Sequence, residues 1–138
     1  MTFAAALYAH LSGASGITAL VGARIYPVVG PPPESAGAVF PDTLVFRMDG
    51  RTDAASISLN RAKTARWMLT AVSSGYVTAH AIADAAEAAL HFFSGQMGGA
   101  SGFNILSSRL ADSRDEFDSD FGLFSVETAY EITYTPTT

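Results

Sequence analysis

The chain of 138 residues has no cysteine, which removes disulfides, thiolate catalysis, iron–sulfur clusters and cysteine-ligated zinc in one step. Charge is scarce as well. Charged residues make up 15% of the chain against 49% hydrophobic, so little charged surface is left to keep copies apart. Lys and Arg number eight against thirteen acids, for a net charge of −5. That balance excludes a chain-wide nucleic-acid clamp, which needs clustered cations to neutralise phosphates. No apolar run reaches membrane-spanning length. The opening "MTFAAALYAHLSG" is broken by Tyr8 and His10 and lacks a basic leader region, so it reads as a mature cytosolic start with no membrane role.

What is present fits one domain over residues 1–138, long enough for a single core. Thr2 stands as an N-cap, and Phe3, Leu7 and Leu11 recur at helical spacing until Ser12-Gly13. Ile17 to Val21 reads as a short helical turn stopped by Gly22. Arg24 to Tyr26 is extended, because Pro27 disfavours α geometry in the residue before it. Residues 28–41, "VVGPPPESAGAVFP", are too rich in Pro and Gly for a regular element and read as an arm or long loop, stiffened by Pro31, Pro32 and Pro33.

Alternation then marks strands in "DTLVFRMDGR" and "AKTARWMLTAV", expected to pair antiparallel, with a little strand between them around Ile57 to Leu59. Gly75 to Phe93 turns helical, with Ile82, Ala86, Ala89, Leu90 and Phe93 on one side and His80, Asp84, Glu87 and His91 on the other. "QMGGASG" reads as no more than a turn, "FNILSSRLADS" as a strand, "RDEFDSDFG" as a turn or mobile loop and "LFSVETAYEITY" as a long strand. In the last strand Phe124, Val126, Tyr130, Ile132 and Tyr134 share the core face. The expected fold is α+β: a single, mainly antiparallel sheet of about four to five strands with two helices packed on one face.

The residues offer little chemistry. The stripe His80, Asp84, Glu87, His91 could supply metal ligands, but the outer histidines stand roughly 16 Å apart along a helix and no second ligand-bearing element is in view. A solvated helix face is the simpler reading. "GASG" occurs at Gly13 to Gly16 and at Gly99 to Gly102 without the strand-to-helix turn of a nucleophile elbow. "GQMGGASG" lacks the Lys-Ser/Thr of a phosphate loop. No catalytic set, cofactor motif or metal motif emerges, so the expectation is a protein that is not an enzyme. Charge does segregate: Arg47, Arg51, Arg61, Lys63 and Arg66 cluster in the middle strands, and Asp112, Asp115, Glu116, Asp118 and Asp120 cluster late. Placed on different sheet edges, such patches could join copies head to tail; ordinary solvated loops and strand faces are the simpler reading.

Taken in order, "GITALVGARIYPVVGPPP", "VFPDTLVFRMDG", "ARWMLTAVSSGYVTAHAIADAAEAAL" and "GLFSVETAYEITY" resemble the tail-completion, or tail-terminator, family of long-tailed bacteriophages and gene-transfer particles. Gly22, Arg24, Ile25, Tyr26, Pro27 and Pro41 fit the family's landmarks. Two features depart from its pattern: the long proline-rich stretch after Pro27, and Asp42 where an aromatic often follows the strand-opening Pro.

The resemblance implies a structural virion protein that forms a ring, typically a hexamer, on the head-proximal end of the tail tube. Its implied partners are sister subunits, the tail tube protein and a head-completion or neck protein, with assembly in the host cytoplasm. Genome DNA would pass through without specific binding. The expected interface residues are Arg51, Arg61, Lys63, Arg66, the three prolines and the late acidic cluster. Another neck or tube protein of the tail, or a small-ligand binding domain, are the alternatives. Deleting Gly30 to Ala38 is expected to spare the fold and harm assembly.

Overall fold

A computed structural model describes residues 2–28, 41–53 and 62–136. Three helices and six strands follow in the order α1 (Phe3–Ser12), α2 (Ser15–Val21), β1 (Ile25–Pro27), β2 (Thr43–Asp53), β3 (Lys63–Ser73), α3 (Tyr76–Leu90), β4 (Gly95–Met97), β5 (Phe103–Asp118) and β6 (Leu123–Pro136). The strands form one sheet in the order β1-β2-β3-β6-β5-β4, antiparallel except for the short β1, which runs parallel to β2. The α+β class and the single sheet agree with the sequence. The proline-rich segment beyond residue 28 and the expected strand at Ile57 to Leu59 lie outside the described residues.

The helices share one sheet face. Thr2 caps α1 by accepting a 3.1 Å hydrogen bond from the Ala5 amide, which satisfies one of the free donors of the first turn. Phe3, Ala6, Leu7 and Leu11, spaced three to four apart, are then buried. On α3 the buried stripe is Ala79, Ile82, Ala83, Ala86 and Leu90, and its small residues let the helix lie close on the strands. From below, Ala65, Trp67, Leu69 and Ala71 of β3 and Val126, Tyr130, Ile132 and Tyr134 of β6 complete one core. At its α1 end Phe3 stacks on Tyr134 at 4.1 Å and meets Trp67 and Phe103 at 5.5 and 5.4 Å. Fully burying side chains of this size stabilises by about 1.5–3 kcal/mol each. Among the described residues no single helix is long and apolar enough to cross a membrane, and α1 and α2, bent by 80°, bury their apolar faces in this core.

The structure departs from expectation in four places. The helix count is three because the turn at Ile17 to Val21 extends to Ser15 and buries Ile17 and Val21 in the core. The strand count is six because Gly98, at φ +84°, folds "QMGGASG" back so that Gly95 to Met97 pair with Ile105 to Phe103. Helix α3 stops at Leu90 and not near Phe93, since His91 is already extended. The acidic run is also no loop. Paired residue by residue with β6 from Asp112 opposite Ala129 to Asp118 opposite Leu123, it forms the outer half of β5. The hairpin is closed by the Gly122 amide, which donates to the Asp118 carbonyl at 2.8 Å, and by the Asp120 amide, which donates to the Asp118 carboxylate at 2.9 Å. Gly122 sits at φ +68°, where a side chain would be strained.

Candidate interaction surfaces

The face of the sheet turned away from the helices carries most of the ordered charge. Alternation along β3 puts Arg66 there, along β6 Glu127 and Glu131, and along β5 Arg109, Asp112 and Arg114. Arg109 pairs with Glu131 at 2.7 Å and Arg114 with Glu127 at 3.4 Å. Arg66 reaches Asp49 on one side at 3.2 Å and Asp112 on the other at 3.9 Å, across β6. On the same face the hydroxyls of Thr64 and Thr133 bond at 2.9 Å. Half-exposed pairs of this kind contribute little to stability, typically under about 1 kcal/mol each. Their effect is to leave a surface nearly neutral over its middle.

The residues expected to form an interface separate into three groups. Arg51 and Arg66 are brought together, lining a shallow polar hollow of about 470 Å³ with Asp49, Gly50, Thr64 and Glu131. Lys63 starts β3 opposite Asp53 and Tyr134. Arg61 and the three prolines lie outside the described residues. Of the acidic cluster, Asp112 joins Arg66, while Glu116, Asp118 and Asp120 continue, exposed, to the tip of the hairpin. Cationic and acidic groups therefore meet across β6 at Arg66 and Asp112, and only the outer β5 residues form a separate acidic rim.

Asp115 has a different place. Two bulges, between Ile105 and Ser107 and between Leu110 and Asp112, shift the register so that Asp115 faces α3. There it accepts a hydrogen bond from the Tyr76 hydroxyl at 3.0 Å and lies 3.0 Å from His80 Nε2. The bond to Asp115, and then its charge, raise the pKa of Tyr76 above the ordinary phenol value. At the other end of the helical stripe, His91 Nδ1 accepts from the Leu110 amide at 2.9 Å. The two ends of the stripe that reads as a wet helix face are thus clamps onto β5, while Asp84 between them is exposed. Among the described residues no group of three His, Asp or Glu stands close enough to hold a metal ion.

The alternation of β6 marks the core but not what happens at the tip and the edges. Phe117 and Phe124 pack at 4.7 Å and Tyr76 meets Phe124 at 5.6 Å, so an aromatic cluster lies between hairpin and helix with Phe117 largely exposed. Val28, Met48, Phe92 and Leu106 are exposed apolar residues at the sheet edges that no sequence pattern singles out. Their signal is conformational: a backbone angle in two cases and a bulge beside the other two.

Against known proteins, residues 5–135 match the family described as tail completion protein gp17. No curated protein matches the chain. Among solved structures it is similar to a chain of the "Virion of native gene transfer agent (GTA) particle", with a TM-score of 0.68 and 17% identity over 95% of this chain and 92% of that one. At that identity the likeness speaks for the fold.

Proposed function

Because the chain belongs to the tail completion protein gp17 family, and is thereby a structural protein of the phage tail, we propose that its copies close into a ring on the head-proximal end of the tail tube. The ring, read as a hexamer, ends tube growth and offers the head-completion or neck protein a surface to dock on. The observation that carries this reading is the family match along almost the whole chain. The fold supports it in two ways. A sheet that among the described residues has one helix-free face and two open edges suits lateral assembly, and the ion-paired outer face suits a conduit through which DNA slides without being held. The net charge of −5 works in the same direction.

The test is electron microscopy of particles made with and without the protein. With it, tubes of uniform length should end in a ring of density and join heads. Without it, tubes should overgrow or stay unjoined. Tubes of normal length that still join heads in its absence would overturn the reading. A ring found elsewhere along the neck or tube would move the protein to another structural position in the tail.

A further inference from the structure

Among the described residues, only two other than glycine hold a left-handed backbone: Val28 at φ +67° and Phe92 at φ +60°. A β-branched or aromatic residue in that region is strained, and here no core packing offsets it, since Val28 is 69% and Phe92 79% exposed. Both are held the same way. The Val28 amide donates to the Phe46 carbonyl at 2.8 Å, and the Phe92 amide to the Ser108 carbonyl at 2.7 Å. Val28 follows β1, at one edge of the sheet, and Phe92 precedes β4, at the other.

Each strained residue has an apolar companion at a bulge in the neighbouring strand. Leu106, 53% exposed, is pushed out between Ile105 and Ser107 and lines one hollow with Phe92 and Arg109. Met48, 51% exposed, stands where the β2 register shifts, two residues beyond Phe46. Bulges at an edge re-aim side chains. Two edges that carry the same combination of strain, bulge and outward apolar residue are built alike for contact.

Among the described residues, the edges are also open beyond these points. β1 pairs β2 only from Leu44 to Phe46, and β4 pairs β5 only from Phe103 to Ile105. Charge differs between the two. β2 carries Arg47 and Arg51 with Asp49 and Asp53, a balanced set, whereas β5 from Asp112 on carries Asp112, Asp115, Glu116 and Asp118 against Arg114; Arg66 reaches both Asp49 and Asp112, and Asp115 turns to α3, so that Glu116 and Asp118 remain as the acidic excess. A chain whose two sheet edges differ in charge and match in apolar content fits a second copy of itself, edge to opposite edge.

We propose that Val28 and Met48 of one copy seat against Phe92 and Leu106 of the next, forming the head-to-tail contact that closes the ring. Contacts between two different patches propagate in one direction and close when the rotation permits. The assignment rests on the ring reading above and names the surface that reading lacks.

Glycine is at ease at φ +60°, so Phe92→Gly removes the anchor while relieving strain. By sedimentation, at concentrations where the native chain forms rings, Phe92→Gly and Val28→Gly should each lose the ring, with thermal stability equal to or above native. Mixed in equal amounts, each keeping one good edge, the two should form dimers and nothing larger. The cysteine-free chain allows a second readout. Val28→Cys and Phe92→Cys in one chain should give, with a short bismaleimide, a linked ladder ending at the ring size, and Val28→Cys alone should give no linked species.

Intact rings from both glycine variants, or efficient linking of Val28→Cys chains to each other, would overturn the assignment while leaving the ring reading in place. Rings that persist while Phe92→Gly detaches from tubes or heads would assign that edge to another tail protein. A native chain that forms no ring in solution or on tubes would overturn both.

Discussion

Between Phe103 and Leu110, β5 is held from both sides. β6 pairs it on both sides of the bulge at Leu106, β4 covers Phe103 to Ile105, and Phe92 and His91 bond the backbone at Ser108 and Leu110. Between Asp112 and Asp118 the same strand is held by β6 on one side and touched from the other by Tyr76 and His80 at Asp115. Every residue from Ala111 to Gly122 is exposed. Past the bulge at Ala111 the ladder nevertheless runs on from Asp112 to Asp118. A strand's existence is set by its pairing partner, and its burial by the helices above it; β6, which buries Leu123, Val126, Thr128 and Tyr130 in turn, carries both halves.

The comparison can be broken most directly in the core. Ile82→Ala on α3, at a fully buried position, should lower stability to urea by about 2–5 kcal/mol. Phe117→Ala, at a position more than half exposed on the outer half of β5, should lower it by less than about 1 kcal/mol. Equal losses would show the outer hairpin to be part of the core.

Tyr130 sits at the boundary, opposite Leu110. Its hydroxyl is buried and, among the described residues, has no geometrically formed hydrogen bond. Burial, opposed by Thr128 and reinforced by the charges of Glu87 and Asp84, pushes its pKa from 10.0 up to about 12. Between those values the unfolded phenol has lost its proton and the folded one has kept it. Stability should therefore be intact below pH 10 and fall by about 1.4 kcal/mol per pH unit as pH rises through that window. Tyr130→Phe should flatten this slope in alkaline unfolding curves; an unchanged slope would place the titration elsewhere.

The smallest effect is expected at Asp115. Asp115→Ala removes both contacts to α3 but only half-exposed ones, so global stability should change by under about 1 kcal/mol. Hydrogen exchange should quicken over residues 112–118 and stay unchanged over 103–110. Uniform quickening would mean that the two halves open as one unit.

Much of this architecture is legible in the chain. Strict alternation over Ala65 to Val72 and Phe124 to Tyr134 places the two central strands and their core faces, and the small-residue stripe of α3 is plain from its spacing. The outer half of β5 is not, because "RDEFDSD" has the composition of a solvated turn and becomes a strand only through its long-range partner. Strand β4 is hidden for a related reason: three residues beside a pair of glycines carry no periodicity. Of the interface residues, Arg66 and Asp112 could be named but not joined, since two bulges in β5 decide which residues face which way. The strained edges at Val28 and Phe92 leave no mark on sequence pattern, because a valine or a phenylalanine gives no sign of a left-handed backbone as a glycine does.

The landmark "RIYP" and the neighbouring departure at Asp42 have a shared explanation. Arg24 Nε donates to the main-chain carbonyl of residue 42 at 2.8 Å, and the Asp42 side chain is left to accept from the Ser73 hydroxyl at 2.7 Å. Every amino acid presents the same carbonyl, so the arginine is indifferent to what stands at position 42. Position 42 is therefore tied to Arg24 through its backbone and to Ser73 through its carboxylate, two separate fastenings of which only the second depends on the residue being an aspartate.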